Sequence, residues 1–143
     1  MAAAESVPEV SEDRQCQYAA AVYITRMDLD TLAQAWRDRR AQEQQHRRRQ
    51  ADEARTAARR AAYLLREEFG AREVWLFGSL IAGPRHDDFD VDLAVSGIAP
   101  ERYFSALARV SDIVGRCVDL VPLETCGDRR RRRVFDSGER IDG

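Results

Sequence analysis

The amino-acid sequence predicts a small α/β domain in which helices flank a short mixed β-sheet, preceded by a long N-terminal helix. A stretch from about residue 29 to residue 69 has neither proline nor glycine and is rich in Ala, Arg, Gln and Glu, which favour helix. After Gly70 come short runs rich in Val, Leu and aromatic residues, which are typical of strands. At 143 residues, 44% of them hydrophobic, the chain can bury one ordinary core.

The N-terminal part is divided by its pattern into two segments. Residues 1–26 are predicted to form a loose extension, because small, acidic and polar residues follow one another without a sustained period. Residues 27–69 are predicted to form a long Arg-rich helical arm. Only its end carries an apolar stripe suited to packing, made of Ala54, Ala58, Ala61, Leu64, Leu65 and Phe69. Residues 37–50 contain one apolar residue, Ala41, so they are expected to face solvent or a partner.

Residues 70–143 are predicted to form the α/β domain. Three strands are expected, at residues 73–77, 91–95 and 117–121. An amphipathic helix should begin near Pro100, because proline is favoured in the first turn of a helix. A last helix is expected over residues 128–137, before Gly138. This order of elements predicts helices packed on a small mixed sheet.

Charge is segregated along the chain, although the formal net charge is only −2. The first 13 residues carry four acids and no base, whereas residues 36–60 carry nine arginines and four acids. All 23 basic residues are arginine, which we interpret as compositional bias. The three cysteines lie far apart without zinc-ligand spacing to a histidine, so neither a disulfide framework nor a zinc site is predicted. With no signal-like start and no apolar run of membrane-spanning length, a cytoplasmic protein without membrane partners is expected.

The first predicted strand runs directly into Gly78 and Ser79. A strand that stops at Gly-Ser and turns into a helix brings backbone N–H groups, a hydroxyl and the positive end of a helix dipole to one point, which suits a phosphate group. Alone this signal is weak, because a tight turn with a capping serine has the same sequence. The motif becomes specific only with the acidic residues that follow it.

Those acidic residues lie on the second and third predicted strands. After ten intervening residues, Asp90 and Asp92 alternate with apolar residues. Residues two apart on a strand point to the same face, about 6.5 to 7 Å apart, close enough for two carboxylates to hold a pair of metal ions. The third strand adds Asp119, a lone acid among apolar residues, which is either a further ligand or a solvent-facing edge residue.

Gly-Ser after a strand, an Asp-x-Asp strand and a later strand with a central Asp together resemble the minimal nucleotidyltransferases of the DNA polymerase β superfamily. The resemblance runs from about Val74 to the C-terminus and includes the segments VWLFGSLIAG, DFDVDLAVSG and VDLVPLE. It implies the polymerase β-like nucleotidyltransferase fold for the predicted sheet and helices.

The resemblance also implies the roles of five residues. Gly78 and Ser79 would hold the β- and γ-phosphates of a nucleoside triphosphate. Asp90, Asp92 and Asp119 would bind two Mg²⁺ ions, and Asp119 would help to deprotonate the attacking hydroxyl. The implied reaction is in-line attack on the α-phosphate, which transfers a nucleoside monophosphate, most simply AMP from ATP, and releases pyrophosphate.

The chain departs from the family pattern in two places. Ile81 and Ala82 replace a frequent Ala-Arg pair, and Phe89 replaces a frequent serine. Neither change removes a metal ligand, but the missing arginine takes away one expected phosphate contact. The arginines at 47–49 and 129–133 are interpreted as solvated helix faces, so nucleic acid is not an expected partner.

The acceptor is expected to be another protein, because the segment after Asp119 is too short for a dedicated acceptor domain. Minimal members of the resembled family are often antitoxins that adenylylate a tyrosine of a HEPN-domain ribonuclease toxin. The resemblance therefore implies a HEPN toxin as partner, with the Arg-rich helix as docking arm. Two alternatives stay open: a small-molecule nucleotidyltransferase of the antibiotic-modifying kind, and a non-catalytic module that uses the long helix for dimerisation or binding. A homodimer through this helix is a further hypothesis.

Overall fold

The structure is a computed structural model that describes the backbone of residues 12–142 and the side chains of residues 28–142. Two N-terminal elements come first, α1 (Glu12–Phe69) and β1 (Glu73–Phe77). The others are α2 (Ser79–Ala82), β2 (Val91–Ser96), a 3-10 turn (Pro100–Arg102), α3 (Tyr103–Val114), β3 (Val118–Pro122), α4 (Asp128–Ser137) and β4 (Glu139–Arg140). The predicted fold class of a mixed sheet with helices and a long N-terminal helix is confirmed.

Helix α1 begins at Glu12, earlier than the predicted end of the loose extension at residue 26. The reason is that no proline or glycine occurs between Pro8 and Gly70, and the intervening Ala, Gln and Arg residues favour helix. The remainder of the predicted extension, residues 1–11, lies outside the described residues. The chain divides into two compact units, Met1–Glu43 and Gln44–Gly143, whereas the predicted arm and domain meet at residue 70; that boundary stays a prediction.

The sheet has four strands in the order β3-β2-β1-β4. Strand β1 is antiparallel to both β2 and β4, and β2 is parallel to β3. Three strands lie within one residue of their predicted bounds. Strand β4 was not predicted from the sequence, because both its residues are charged and a two-residue strand is too short to show a period. It lies at the edge of the sheet, where Arg140 pairs with Trp75.

One face of the sheet is covered by α1 and α3. Its fully buried side chains come from all three longer strands and both helices: Val74, Leu76, Val91, Leu93, Val95, Leu120, Ala58, Leu65 and Val110. The predicted apolar stripe at the end of α1 is buried in this cluster, which confirms that packing prediction.

The other face is covered only in part, by α4. There a second buried cluster joins Phe77, Ala94 and Val121 of the sheet to Leu123 and to Val134 of α4. The chemistry predicted from the sequence lies on this second face.

The described part of the first unit, residues 12–43, is helical, and its described side chains are mostly exposed. Residues 37–46 are all exposed, as predicted for this stretch. Three large apolar side chains are also exposed, Leu29 by 59%, Leu32 by 53% and Trp36 by 56%. Across the part of the chain that the structure describes, no helix is both long and apolar enough to cross a membrane.

Candidate active site

The site begins at the turn between β1 and α2. Gly78 has φ 77° and ψ −147°, a backbone conformation that side-chain-bearing residues rarely adopt. Its carbonyl oxygen accepts hydrogen bonds from the N–H groups of Ile81 at 3.2 Å and Ala82 at 3.1 Å, which closes the short helix. Ser79 is exposed beside the buried Gly78, so its hydroxyl is open to a ligand.

Gly78 and Asp92 touch each other closely. A Cβ atom on Gly78 would lie 2.0 Å from Oδ2 of Asp92 and 2.9 Å from its Cγ. Glycine is therefore required here both by its φ angle and because the Asp92 carboxylate lies directly against the turn. This contact joins the predicted phosphate turn to the predicted metal-binding carboxylates.

Asp92 and Asp119 lie side by side on neighbouring strands. Phe77 pairs with Asp92 across the antiparallel strands, and Asp92 pairs with Asp119 across the parallel strands. Neighbouring strands are about 4.8 Å apart, so the two carboxylates leave the sheet close together. By strand alternation they share the face of Ala94 and Val121, the face on which α4 packs. We call Asp92 and Asp119, with Asp90 beside them, the carboxylate row.

Asp90 differs from the predicted arrangement in one respect. Strand β2 begins at Val91, so Asp90 lies just before the strand and is exposed. Asp119 is also exposed and lies on the edge strand β3. Within residues 28–142, no cluster of three or more His, Cys, Asp or Glu side chains is spaced for metal binding. The structure thus brings the three acids to one end of the sheet without closing them into a cage.

The electrostatics of Asp92 reflect these neighbours. Burial raises the pKa of its carboxyl, and the charges of Asp119 and Asp90 raise it further, whereas those of Arg133 and Arg130 lower it. The net direction is upward, with burial the largest cause, so the neutral form of Asp92 is favoured, and repulsion among the three acids adds to this. Carboxylate oxygens are ligands that Mg²⁺ prefers, and a divalent cation would relieve this repulsion.

Comparison with known families agrees with this fold. The sequence model of the family described as Polymerase beta, Nucleotidyltransferase matches residues 61–142, more than half of the chain. The chain belongs to this nucleotidyltransferase family. No curated protein matches significantly.

Solved structures with the nucleotidyltransferase fold are similar to this chain. One, of a candidate minimal nucleotidyltransferase, is 28% identical with a TM-score of 0.51, over 59% of this chain and 89% of that one. A toxin–antitoxin structure with AMP-PNP is 24% identical with a TM-score of 0.50, over 55% of this chain and 66% of that one. A third, a tri-AMPylated HEPN toxin with its MNT antitoxin from Shewanella oneidensis, is 20% identical with a TM-score of 0.50, over 62% and 71%.

The similarities to the two toxin–antitoxin structures, at 24% and 20% identity, show only that the fold is shared. This chain spans slightly less than two thirds of the chain from the AMP-PNP complex, 66%. The similarities confirm the resemblance stated from the sequence, at the level of family and fold.

The structure explains one departure of this nucleotidyltransferase from the family pattern. Phe89, where serine is frequent, is only 5% exposed and belongs to the core. The Arg116 guanidinium lies 4.1 Å from the centre of its ring, a cation–π contact. Arg116 also donates a hydrogen bond to the Asp87 carbonyl at 3.0 Å. The residue before Asp90 therefore anchors the loop that leads into the carboxylate row.

Helix α1 supports the other side of the site. Arg55 donates a hydrogen bond to the Leu80 carbonyl at 3.1 Å and lies 3.6 Å from Glu139. Arg47 forms a salt bridge of 3.2 Å with Asp87. Arg47, interpreted from the sequence as solvated, thus holds the loop after α2 in place, and Arg55 holds α2 itself.

The sequence analysis also missed the orientation of α4. Arg131 is half-buried and donates a hydrogen bond to the Leu123 carbonyl, and Arg130 and Arg133 act electrostatically on Asp92. The arginine run is therefore not a uniformly solvated face. The one signal in the sequence was the apolar residue Val134, which packs on the sheet. The number of residues between Val134 and each arginine sets which arginines lie on the same side of the helix.

Proposed function

We propose that this nucleotidyltransferase transfers AMP from ATP to a protein hydroxyl. Gly78 and Ser79 bind the β- and γ-phosphates, and Asp90, Asp92 and Asp119 form the catalytic site. The observation that carries the proposal is the contact between the Gly78 backbone and the Asp92 carboxylate, with Asp119 in register beside it. It supports the proposal because the Gly78–Ser79 turn and the two acids are close enough together for one triphosphate group to contact both.

In the proposed reaction, the acceptor oxygen forms a bond to the α-phosphorus. The bond between this phosphorus and the oxygen that bridges to the β-phosphate breaks, and pyrophosphate leaves with that oxygen and its electron pair. The acceptor proton passes to the Asp119 carboxylate. Of the neighbouring acids Asp92 and Asp119, Asp119 is the exposed one and is therefore open to an acceptor. Gly78 and Ser79 keep the leaving group in line by holding its phosphates.

The carboxylate row would hold two Mg²⁺ ions through Asp90, Asp92 and Asp119. Bound metal would neutralise charge on the attacking and leaving oxygens. The support is the chemistry of the donor set: three carboxylates at one end of the sheet, with burial and like charge raising the pKa of Asp92.

We propose a HEPN-domain toxin as the protein acceptor. The support is the fold shared with the antitoxin of a complex that contains an AMPylated HEPN toxin. The exposed segment 37–46 of α1 is the proposed docking arm, because its side chains have no role in the described core.

We further propose that the first unit pairs with a second copy of this chain. Leu29, Leu32 and Trp36 follow one another at steps of three and four residues and are all exposed. Steps of three and four residues put Leu29, Leu32 and Trp36 on one side of the helix, an exposed apolar stripe of the kind that pairs two helices. Light scattering of Leu32→Glu against wild type tests this; a wild-type monomer would contradict it.

The function is tested by incubating purified protein with magnesium and each of the four α-labelled nucleoside triphosphates, with and without a purified HEPN-domain protein from the same organism. Label from ATP should appear on the HEPN protein with release of pyrophosphate, and it should disappear with Asp92→Asn. Label in a small molecule would favour the antibiotic-modifying alternative. Folded protein that transfers no label from any nucleotide would contradict the proposal and favour a binding module.

A further inference from the structure

Helix α4 is anchored on the sheet face that carries the carboxylate row. Val134 is fully buried against Phe77, Ala94 and Val121. Ala94 follows Asp92 by two residues and Val121 follows Asp119 by two, so Val134 packs on the row of side chains next to the two acids. The buried Val134 therefore fixes how α4 is rotated about its axis over the site.

This rotation sets which arginines of α4 turn towards the sheet. At about 100° per residue, Arg130 lies about 40° and Arg133 about 100° around the helix from Val134. Arg132 lies about 160° from Val134, on the side away from the sheet, whereas Arg129, at about 140°, is four residues before Arg133 and shares its helix face. Arg130 and Arg133 are also the members of the run whose charges act on Asp92.

Arg130 and Arg133 have no carboxylate partner of their own. Among residues 28–142, neither takes part in a salt bridge, and both side chains are exposed. By contrast, Arg131 is held at the Leu123 carbonyl, and Arg55 is held between Leu80 and Glu139. The pair is thus available to an anion placed over the carboxylate row.

The phosphate turn lacks a cation of its own. Helix α2 contains only Ser79, Leu80, Ile81 and Ala82, none of them charged, and Ala82 stands where the resembled family pattern often has an arginine. A triphosphate bound next to three carboxylates needs added positive charge, and a guanidinium group matches phosphate oxygens geometrically.

We propose that Arg130 and Arg133 bind the polyphosphate group of the nucleotide and take the place of a cation on α2. This inference rests on the proposed function, because it assigns a second phosphate-binding element to the same site. The two arginines are positioned from α4, which packs on the sheet face that carries the carboxylate row. They act on the triphosphate and not on the base or ribose.

The test is calorimetric titration of the full chain, with magnesium present, using a non-hydrolysable ATP analogue, inorganic tripolyphosphate and adenosine. Arg130→Ala and Arg133→Ala should each weaken binding of both triphosphate ligands about tenfold or more, since each loses a charge-assisted contact. Adenosine binding should not change. Alanine keeps the helix propensity of α4, so the fold should be retained.

The matched control is Arg132→Ala, which removes the same charge from a position about 160° around the helix from Arg130 and about 100° from Arg133. It should leave the affinity for tripolyphosphate within about twofold, since a solvent-screened charge on the side of α4 away from the sheet contributes little. Equal weakening by all three variants would overturn the inference, because it would indicate non-specific charge. Unchanged affinity in the Arg130 and Arg133 variants, or an equal loss of adenosine binding, would overturn it too.

Binding and transfer measurements on the wild-type protein distinguish a failure of this inference from a failure of the proposed function. Wild type that binds tripolyphosphate through Arg130 and Arg133 but transfers no labelled AMP would contradict only the proposed function. Wild type that transfers AMP while the arginine variants bind normally would contradict only the inference. Wild type that binds no triphosphate ligand would overturn both.

Discussion

The two faces of strand β2 differ in what they contribute to the molecule. Val91, Leu93 and Val95 point into the core under α1 and α3 and are almost wholly buried. Asp92, one residue away from two of them, points to the face of α4, where it meets Gly78 and Asp119. Since side chains alternate along a strand, a single strand supplies stability on one face and candidate chemistry on the other. Substitutions at neighbouring positions should therefore have separable effects.

The largest effect is expected for Asp92→Asn, on activity alone. Transfer should fall at least about a thousandfold, because several kcal/mol of charge stabilisation depends on this carboxylate. Stability should be kept or rise, since burial and Asp119 both disfavour the charged form of Asp92. Pyrophosphate release and the denaturant midpoint, measured on the same sample, test both. A large loss of stability would instead make Asp92 a structural residue.

Leu93→Ala should have the opposite pattern. Leu93 is fully buried between the strands and the helices, so its truncation should cost about 2–5 kcal/mol of unfolding free energy. Urea denaturation measures this. Ser96→Ala, on the other face of the same strand, is the control and should change stability by less than about 0.5 kcal/mol. Similar costs for the two variants would contradict the division between the faces.

Gly78→Ala should reduce transfer by moving a carboxylate of the row out of position. The new Cβ would displace the Asp92 carboxylate, and a misplacement of about 1 Å can cost about a hundredfold in rate. Gly70→Ala is the matched control, because Gly70 has a similar φ of 72° but no atom within 4 Å of the added Cβ. Both variants bear backbone strain, but only Gly78→Ala should lose transfer per folded molecule. Equal activity in the two variants would show that the Asp92 position does not matter.

A smaller effect, on stability, is expected for substitution of the buried Asp142, whose pKa is lowered, whereas that of Asp92 is raised. Arg140 donates hydrogen bonds to its carboxylate at 2.7 and 2.9 Å, and the Val74 N–H donates another at 3.3 Å. The Arg140 hydrogen bond, aided by that of Val74, lowers the pKa of Asp142 although burial opposes this. Its stabilising contribution should therefore be present above the unfolded pKa of about 3.9 and lost as pH falls through the lower folded pKa.

Asp142→Asn tests this contribution by unfolding at a series of pH values. The variant should be less stable than wild type at pH 6, and the difference should shrink under acid. A difference that stayed constant down to the lowest accessible pH would show that the ion pair contributes nothing through titration.

The order of elements was predictable from the sequence because local signals agree with the packing. Pro100 and Gly138 bound their helices, and the apolar runs of β1, β2 and β3 mark buried strands. The start of α1 at Glu12 and the two-residue β4 were missed. Residues 12–26 are helical because the good helix formers among them outweigh the acidic and polar residues. Strand β4 forms because Glu139 and Arg140 pair with Leu76 and Trp75 of β1, and the two charged residues alone show no strand pattern.

Residues of the candidate site were predictable as types, but not in their relative positions. The sequence singled out Gly78, Asp92 and Asp119, and the register that sets the two acids side by side depends on strand pairing. The orientation of Arg130 and Arg133 was not apparent, since five consecutive arginines show no amphipathic period. It follows from the burial of Val134, which is a tertiary contact.

The central claim, that the α4 face of the sheet binds the cations of nucleotidyl transfer, is tested most directly by manganese titration followed by electron paramagnetic resonance. With a non-hydrolysable ATP analogue, wild-type protein should bind two Mn²⁺ ions per chain, and Asp92→Asn and Asp119→Asn should each lose at least one. Binding of the same number of ions by wild type and both variants, or no binding by wild type, would contradict it.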